Sequence, residues 1–459
     1  MDTSAALNAL TAVNAAVWGA PMTILLAGTH VLLTVRTRAV QRMLPLALRL
    51  SVTREDGAPG DVSQFAALAT ALAATDGTGN IIGVAAAVKI GGPGAVLWCW
   101  LTGIFGMATK YGEGLLAVRF RVKSSGGTMT GGPMYAIERG LGLRPLAQVF
   151  ALAAMLCSFG IGSSVQSNAL TTALYGAFGV NRTLASVVAA AASAAVILGG
   201  VKSVARLCGI IVPAFAGGYL IVCAAVIAVN RAFLPAAAAA IVRGAFGFNA
   251  VAGGAAGGGL IAAVRAGVSR GLFSNESGLG SAPIAAAAAQ TDEPARQALI
   301  SMTGTFWDTV VICAMTGVAV VTAALRYPEA ASGAGAARLS QLAFANALPY
   351  GRAVHAVMLA AFAFSTVIGW SYYGERCCEY LFGGRAVTAY RCVYVAAAFF
   401  GGVMPLELVW AASDSLNALM AVPNLISLIA LSGVIAAETR RFRGSRSRLR
   451  AARKTPPGV

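Results

Sequence analysis

Apolar segments of about 20 residues recur along this chain from one end to the other, and each is long enough to cross a bilayer as a helix. Of the 459 residues, 58% are hydrophobic and 11% are charged, which is too few charged side chains to coat a soluble protein of this size. In hydrocarbon every backbone N–H and C=O group must be paired within the protein, and helices achieve this. The sequence therefore predicts an all-α membrane protein.

The apolar pattern predicts eleven membrane spans that alternate across the bilayer. Their approximate limits are residues 13–35, 64–88, 93–119, 146–176, 183–201, 207–230, 256–290, 299–325, 347–381, 387–403 and 406–437. The strongest basic clusters, such as the tail from Arg440 to Lys454, follow odd-numbered spans. The positive-inside rule then predicts a multi-pass protein of the inner (plasma) membrane, with its N-terminus outside and its C-terminus in the cytoplasm.

The net charge of +17 does not indicate a nucleic-acid partner, because the bases lie in short clusters between apolar spans and not on one face. The basic tail is expected to contact anionic lipid headgroups. The sequence carries no nucleophile triad, zinc motif or Walker motif, so we do not expect an enzyme. The expected partner is the lipid bilayer, and no obligatory protein partner is inferred.

Two spans are interrupted by glycine and polar residues at membrane depth. Span two contains DGTGN at residues 76–80, and span seven contains SNESGLG at residues 274–280, followed by Pro283. Unwound backbone is tolerated there only where it lines a cavity or is packed in protein. The helix ends that it exposes attract carboxylates through N–H groups and cations through C=O groups. These two breaks therefore predict a binding site.

The breaks lie about 200 residues apart, and each opens a set of five spans. This spacing predicts two repeats, residues 60–232 and 245–437, of which the second is inverted because five is odd. Residues 1–50 would add one N-terminal transmembrane helix and a basic cytoplasmic segment. Residues 438–459 would form the basic cytoplasmic tail.

Several polar residues inside the spans are candidates for function. Gln166 and Asn168 could bind a ligand or join helices, while Ser365 and Thr366 could complete a sodium shell. Trp370 could cap a small side chain. The acids within the spans are Asp76, Glu113, Glu276, Asp308 and Asp414. For Glu113 a helical salt bridge with Lys110 is expected, and for Glu276 a gate, an ion pair or substrate contact.

Five stretches resemble the alanine or glycine:cation symporters, also called the sodium:alanine symporter family. They are GTGNIIGVAAAVKIGGPGA from Gly77, GMATKYGEGLLAV from Gly106, GGPMYAIERGLG from Gly131, SRGLFSNESGLGSAPIAAAAA from Ser269 and FAFSTVIGWSYYGERCCEYLFG from Phe362. They occur in the family's order and span most of the chain. The resemblance implies a leucine-transporter-like inverted repeat with one extra N-terminal helix.

The resemblance also implies site residues. Substrate would contact Thr78, Gly79, Asn80, Gln166, Phe273, Thr366 and Trp370. Na⁺, the implied coupling ion, would be held around Asp76, Gly77, Ser365 and Thr366, and no organic cofactor is implied. Asp76 departs from the family, where a neutral residue is expected.

The leading hypothesis is a sodium-coupled importer of small neutral amino acids, such as alanine or glycine, that works by alternating access. Two alternatives stay open. Because Asp76 adds a buried carboxyl group, coupling could use protons. A receptor of the same fold could bind an amino acid without transporting it.

Overall fold

The structure is a computed structural model, and it describes residues 3–53, 55, 57–124, 126–247, 256–405 and 407–454. Within them, one two-stranded antiparallel hairpin, Val122–Lys123 paired with Met129–Thr130, accompanies an otherwise helical chain. The main helices are α1 (Thr3–Val17), α2 (Ala20–Arg36), α3 (Leu44–Ser51), α4 (Gln64–Thr75), α5 (Gly79–Gly91), α6 (Ala95–Arg119), α7 (Arg144–Phe178), α8 (Arg182–Ile197), α9 (Gly200–Val229), α10 (Leu234–Ala245), α11 (Ala256–Asn275), α12 (Pro294–Arg326), α13 (Ala336–Ala345), α14 (Gly351–Phe382), α15 (Val387–Val403), α16 (Glu407–Ala430) and α17 (Ser432–Lys454).

Several helices are long and apolar enough to cross a membrane. In the described part of the chain five qualify singly, and two bent helix pairs bring the number to as many as seven. Shorter apolar helices, α2 and α8, fall within other predicted spans. The structure is thus that of a multi-pass helical membrane protein, while the count of eleven spans stays a prediction.

Three predicted spans differ from the observed helices. The first span begins within α1, and the chain breaks at Trp18 and Gly19 before α2 starts, with Pro21 in its first turn. The last span crosses a 58° bend between α16 and α17, so the basic tail continues as a helix to Lys454. The ninth predicted span, residues 347–381, starts four residues before the continuous helix Gly351–Phe382.

The first predicted break is present in the structure. Helix α4 starts with Ser63 as its N-cap, whose hydroxyl accepts a hydrogen bond from the backbone N–H of Ala66, and it ends at Thr75. The chain resumes as α5 at Gly79, and the two helix axes meet at 54°. Asp76, Gly77 and Thr78 lie between the helices. The polar glycine sequence therefore interrupts this span at the predicted position.

The second predicted break is also present. Helix α11 ends at Asn275, and one short helical turn, Pro283–Ala286, follows the irregular segment between them. Glu276 adopts a left-handed backbone conformation with φ of 54°, which is rare outside glycine. Gly278 and Gly280 also have positive φ, at 100° and 87°. The segment thus turns sharply twice, which a continuous helix could not do.

A basic side chain anchors the segment that follows the second break. The guanidinium of Arg121, just beyond α6, donates hydrogen bonds to the backbone carbonyls of Ala289 at 2.7 Å and Thr291 at 2.6 Å. Burial lowers the pKa of Arg121, and the nearby carboxylates of Asp292 and Asp61 oppose that shift. The carbonyls exposed where the chain leaves the second break are therefore satisfied by one fixed cation.

The two breaks lie in a shared core. Helix α6 packs along α11 and α12, while α14 packs against α4 and α7. Three π-helical stretches fall in this region, at Gly79–Gly83, Ser158–Ser164 and Phe306–Cys313. A π-helical turn displaces side chains from the regular helical register and is common at functional sites.

Candidate functional site

A small enclosed cavity lies where the two breaks meet. Its walls are Ala74, Thr75, Gly77, Gly79, Ile161, Gln166, Phe273, Glu276, Leu279, Thr366, Trp370 and Asn417. The space in which the centre of a water molecule can lie measures about 20 Å³. That is somewhat more than one water molecule requires, so a small amino acid fits only after the cavity widens.

The first break presents backbone donors to this cavity. The N–H group of Gly77 donates to the side-chain oxygen of Asn80 at 3.0 Å, and that of Thr78 approaches the amide oxygen of Gln166 at 3.4 Å. The hydroxyl oxygen of Thr78 is buried and has no hydrogen-bond partner. Because the first N–H groups of a helix have no partner within it, the start of α5 can receive an anionic group.

Thr366 on α14 lies directly against the first break. Its hydroxyl donates to the carbonyl of Phe362 at 3.0 Å and lies 3.3 Å from the carbonyl oxygen of Asp76. A Cβ atom on Gly77 would approach this hydroxyl to 2.7 Å, so only glycine allows the contact. Ser365 is buried and donates to the same Phe362 carbonyl, at 2.8 Å. Of the two predicted hydroxyls, Thr366 is therefore the one that contacts the break.

The second break contributes a carboxylate to the cavity. Glu276 is buried, and its oxygens accept hydrogen bonds from the indole N–H of Trp370 at 3.1 Å and from the hydroxyl of Ser281. On the facing helix α16, Asn417 is buried, and its side-chain oxygen has no partner. One wall of the cavity therefore carries hydrogen-bond acceptors, opposite in character to the N–H donors of the first break.

Asp308 joins the two breaks to each other. Its carboxylate accepts hydrogen bonds from Asn80 at 2.6 Å, from Ser274 at 3.0 Å and from Thr309. The neighbouring carboxyl group of Asp76 is also buried and interacts with that of Asp308, and neither of its oxygens accepts a hydrogen bond from an N–H group or a hydroxyl. Two acidic groups so close together in a buried region favour the presence of a cation or a proton between them.

Glu113 on α6 holds the second break in place. One of its carboxylate oxygens accepts hydrogen bonds from the N–H groups of Gly278 at 2.9 Å and Gly280 at 3.1 Å, and from Asn424 at 2.8 Å. Its other oxygen lies 3.8 Å from the ammonium of Lys110. The helical ion pair predicted from the sequence is present, and its carboxylate additionally binds the unwound backbone.

Replacing Glu113 with alanine is expected to destabilise the protein by about 3–5 kcal/mol, because the change strands three donors and leaves the buried Lys110 without its counter-charge. Thermal unfolding in detergent, followed with a thiol-reactive fluorophore, measures this effect, since seven of the eight cysteines are buried. Glu438 forms an ion pair with Arg119 at 3.4 Å, and Arg119 is exposed, so Glu438→Ala should cost less than about 1 kcal/mol. Equal melting temperatures for the two variants would contradict this role of Glu113.

The structure brings most of the predicted site residues to one place. Gly77, Gly79, Gln166, Phe273, Thr366 and Trp370 line the cavity, and Thr78 and Asn80 belong to the break beside it. The Asp76 carbonyl faces Thr366, whereas its carboxyl group lies near Asp308, outside the cavity wall. Among the described residues, the hydrogen bond of the Ser365 hydroxyl goes to Phe362 and not to the first break.

Sequence reasoning did not assign Asn417, Ser274 or Asp308 to the site, and left Glu276 between three interpretations. An amide within an apolar span is a signal that could have found Asn417, because such a group must be paired or functional. For Asp308 and Ser274 the partners lie on helices distant in sequence, so only the fold reveals them. Asn168, in contrast, donates to the carbonyls of Gly401 at 3.1 Å and Met404 at 3.0 Å, which favours helix joining.

Comparison with known proteins assigns the chain to a family. A profile of the sodium:alanine symporter family matches residues 3–455. The chain belongs to the sodium:alanine symporter family. Sodium/alanine symporter AgcS of Methanococcus maripaludis is 46% identical over 437 residues, which covers 94% of this chain and 96% of that protein. An uncharacterized transporter of Haemophilus influenzae is 49% identical over 438 residues, covering 94% of this chain and 95% of that protein.

The fold has a counterpart among solved structures. The crystal structure of MhsT in complex with L-phenylalanine superposes with a TM-score of 0.59 and 16% identity, covering 84% of this chain and 93% of that one. The architecture is therefore leucine-transporter-like, as the family resemblance implied. Together with the family, this makes the protein an amino-acid symporter and not an enzyme.

Proposed function

We propose that this symporter imports a small neutral amino acid, such as alanine or glycine, together with Na⁺, by alternating access of the central cavity to the two sides of the membrane. The observation that carries the proposal is the cavity itself, in which helix-break donors from the first repeat face a carboxylate from the second. This polarity complements a zwitterion, whose two charges lie at opposite ends of a small molecule.

The substrate carboxylate would bind at the first break. The unpartnered hydroxyl of Thr78, the residue before α5, supplies a donor, and the helix dipole favours a negative charge there. Gly79 keeps the backbone accessible, because it carries no side chain between the helix start and Phe273. Asn80 would hold the break in shape through its hydrogen bond to the Gly77 N–H.

The substrate ammonium would bind at the opposite wall. Glu276 supplies a negative charge and Asn417 an unpartnered amide oxygen, while Gln166 and Thr366 add further polar atoms. A charged group in a buried cavity requires a partner of opposite charge, because the free energy of removing the charge from water otherwise exceeds the favourable free energy of its contacts. Glu276 is the cavity residue that meets this requirement.

The cavity walls favour a small side chain. Trp370 and Phe273 are both cavity residues, and a Cβ atom on Gly162 would lie 2.4 Å from the Cβ of Trp370, so this helix contact leaves the indole no room to retreat. One methylene group changes binding by only about 1–3 kcal/mol, which makes a graded preference among glycine, alanine and larger residues the expected pattern.

Sodium would bind beside the substrate, at oxygens that are already positioned. The hydroxyl of Thr366 gives its hydrogen to Phe362, so its lone pairs and the Asp76 carbonyl can both face a cation. Ser365 is a further candidate on the same helix. The cluster of Asp308, Asn80 and Ser274 is a second candidate, since it adds the negative charge that a buried cation needs.

Reconstitution tests this proposal. Proteoliposomes that contain the purified protein are expected to accumulate labelled alanine when an inward Na⁺ gradient is imposed, and unlabelled glycine should compete. Saturable binding without any accumulation would contradict transport and would favour a receptor of the same fold. Accumulation that follows no cation gradient would contradict symport.

The buried carboxyl group of Asp76, which lies beside that of Asp308, supports proton coupling as a second candidate. Replacing Asp76 with asparagine removes its ionisable group and preserves its backbone carbonyl. If Na⁺ alone is coupled, uptake by the variant should respond to a Na⁺ gradient as the wild type does, with at most about a threefold change in rate, which corresponds to less than 1 kcal/mol. Selective loss of acceleration by an inward pH gradient would instead identify Asp76 as the proton carrier.

A further inference from the structure

A second cavity, which we call the arginine cleft, lies apart from the central one. It has a volume of about 570 Å³ and is bounded by α7, α13, α14 and α16. Its polar lining residues include Asn168, Thr172, Arg338, Gln341 and Arg352. The arginine cleft is therefore large enough for a whole amino acid together with several water molecules.

The charge of the arginine cleft is one-sided. Arg338 and Arg352 are exposed, and neither forms an ion pair with the described residues. None of the residues that line the arginine cleft is acidic. Two guanidinium groups without counter-charges in a concave surface concentrate anions, and their planar N–H donors match the geometry of a carboxylate.

The rest of the arginine cleft is partly apolar, and a buried hydrogen bond joins two of its helices. The ring of His355 on α14 is buried and hydrogen bonds Ser340 on α13 at 3.0 Å, which fixes the two arginine-bearing helices to each other. Leu359 and Trp410 add apolar surface. A ligand with one carboxylate and a small apolar group would therefore complement this surface.

The arginine cleft lies in line with the central cavity. On three helices, a residue of the arginine cleft and a residue of the central cavity are seven positions apart: Ala173 and Gln166 on α7, Leu359 and Thr366 on α14, and Trp410 and Asn417 on α16. Seven residues correspond to about two helical turns, or about 10 Å along each helix. The arginine cleft is thus about two turns from the central cavity, on the side that the predicted topology places outside.

We propose that the arginine cleft is a binding site for carboxylates, at which Arg338 and Arg352 capture the carboxylate of the incoming amino acid before it moves to the central cavity. This inference rests on the proposed import of amino acids. The arginines raise the local concentration of substrate and orient its carboxylate, while the apolar walls accept its side chain. The binding is weaker than in the central cavity, because water screens the exposed guanidinium groups.

Site-directed labelling tests the arginine cleft without any transport measurement. Cys392 is the exposed cysteine of the described chain, so a Cys392→Ser background removes its reaction with thiol reagents. In that background the Gln341→Cys variant is treated with a negatively charged sulfonate reagent and with a positively charged trimethylammonium reagent of similar size. The measured quantity is the ratio of the labelling rate with the anionic reagent to that with the cationic reagent. This ratio is expected to be about tenfold higher for Gln341→Cys than for a free thiol.

The same labelling identifies the arginines and the carboxylate. Adding Arg338→Gln and Arg352→Gln should abolish the preference for the anionic reagent, and propionate should slow labelling only while both arginines are present. Arg231→Gln, at an exposed arginine outside the arginine cleft, should leave the preference unchanged. No preference for the anionic reagent, or no protection by propionate, would overturn the inference.

Uptake kinetics connect the arginine cleft to import. The Arg338→Gln and Arg352→Gln double variant is expected to raise the KM for alanine about fivefold or more, through slower capture, with an unchanged maximal rate. An unchanged KM would overturn the capture role. If wild-type protein accumulates no amino acid yet propionate still protects Gln341→Cys, the proposed import fails while the carboxylate site stands.

Discussion

Replacing Glu276 with glutamine is expected to weaken alanine binding at least about 30-fold. Glutamine has the same shape and can still accept the Trp370 hydrogen bond, so the change removes chiefly the negative charge. Loss of one partner from a buried charge pair costs about 2–5 kcal/mol, and 1.4 kcal/mol corresponds to a factor of ten. Calorimetric or scintillation-proximity binding of alanine to purified protein in the presence of Na⁺ measures the loss.

The structure offers a matched control for this substitution. Glu329 is exposed and lies in a short helical turn after α12, so Glu329→Gln removes the same charge without reaching the cavity. It is expected to bind alanine as the wild type does. Equal affinity in the wild type and in Glu276→Gln, with both proteins folded as judged by melting temperature, would exclude Glu276 as the ammonium partner.

Replacing Asp308 with asparagine is expected to reduce the affinity for Na⁺ at least about 30-fold and to uncouple alanine binding from sodium. The carboxylate accepts hydrogen bonds from Asn80 of the first break and Ser274 of the second, so it contributes both charge and geometry. A hard cation prefers such oxygen ligands. Without the negative charge, the remaining neutral oxygens compensate little of the free energy that Na⁺ loses when it sheds its water molecules. Sodium titrations of alanine binding measure this effect.

Asp414 provides the control for Asp308. It is an acidic residue of α16 that is only partly buried, and it lies outside the group formed by Asp308, Asn80 and Ser274. Asp414→Asn should therefore leave the sodium dependence of alanine binding close to that of the wild type. If Asp308→Asn also preserves that dependence, the cation does not bind at this cluster, and the Thr366 hydroxyl with the Asp76 carbonyl remains the candidate site.

The two substitutions separate the parts of the proposed mechanism. Glu276→Gln should weaken substrate binding at every sodium concentration, whereas high sodium should partly restore binding to Asp308→Asn by mass action. Because both residues lie where the two breaks meet, the proposed positions of substrate and ion adjoin each other. Such proximity gives each ligand a direct electrostatic reason to favour binding of the other.

Local sequence signals predicted the helices, the breaks and part of the cavity. Apolar length specifies a spanning helix because no other arrangement satisfies the backbone in lipid. Glycine beside polar residues within a membrane span specifies an interruption of the helix, and the helices are interrupted at Gly77 and again after Asn275. These features depend on a few neighbouring residues and on the solvent around them, so they can be read without knowing the fold.

Contacts between distant segments could not be predicted in this way. The Glu113 carboxylate was expected to serve an ion pair within its own helix, and it also binds Gly278, Gly280 and Asn424. Similarly, Asn417 carries no motif, and its importance arises from an unpartnered oxygen that lies beside the cavity. The partners of Glu113 in the second break and in α16 lie more than a hundred residues away along the chain, and a local pattern holds no information about them.

The sequence by itself thus determined that this protein is a helical membrane protein with two interrupted spans, because hydrophobic length and backbone satisfaction are local requirements. Only the tertiary structure decided which polar groups share a cavity, which carboxylate faces it and which lies beside Asp308. Helix packing makes those choices, since a rotation or shift of one helix by a single residue would bring a different side chain to the same place.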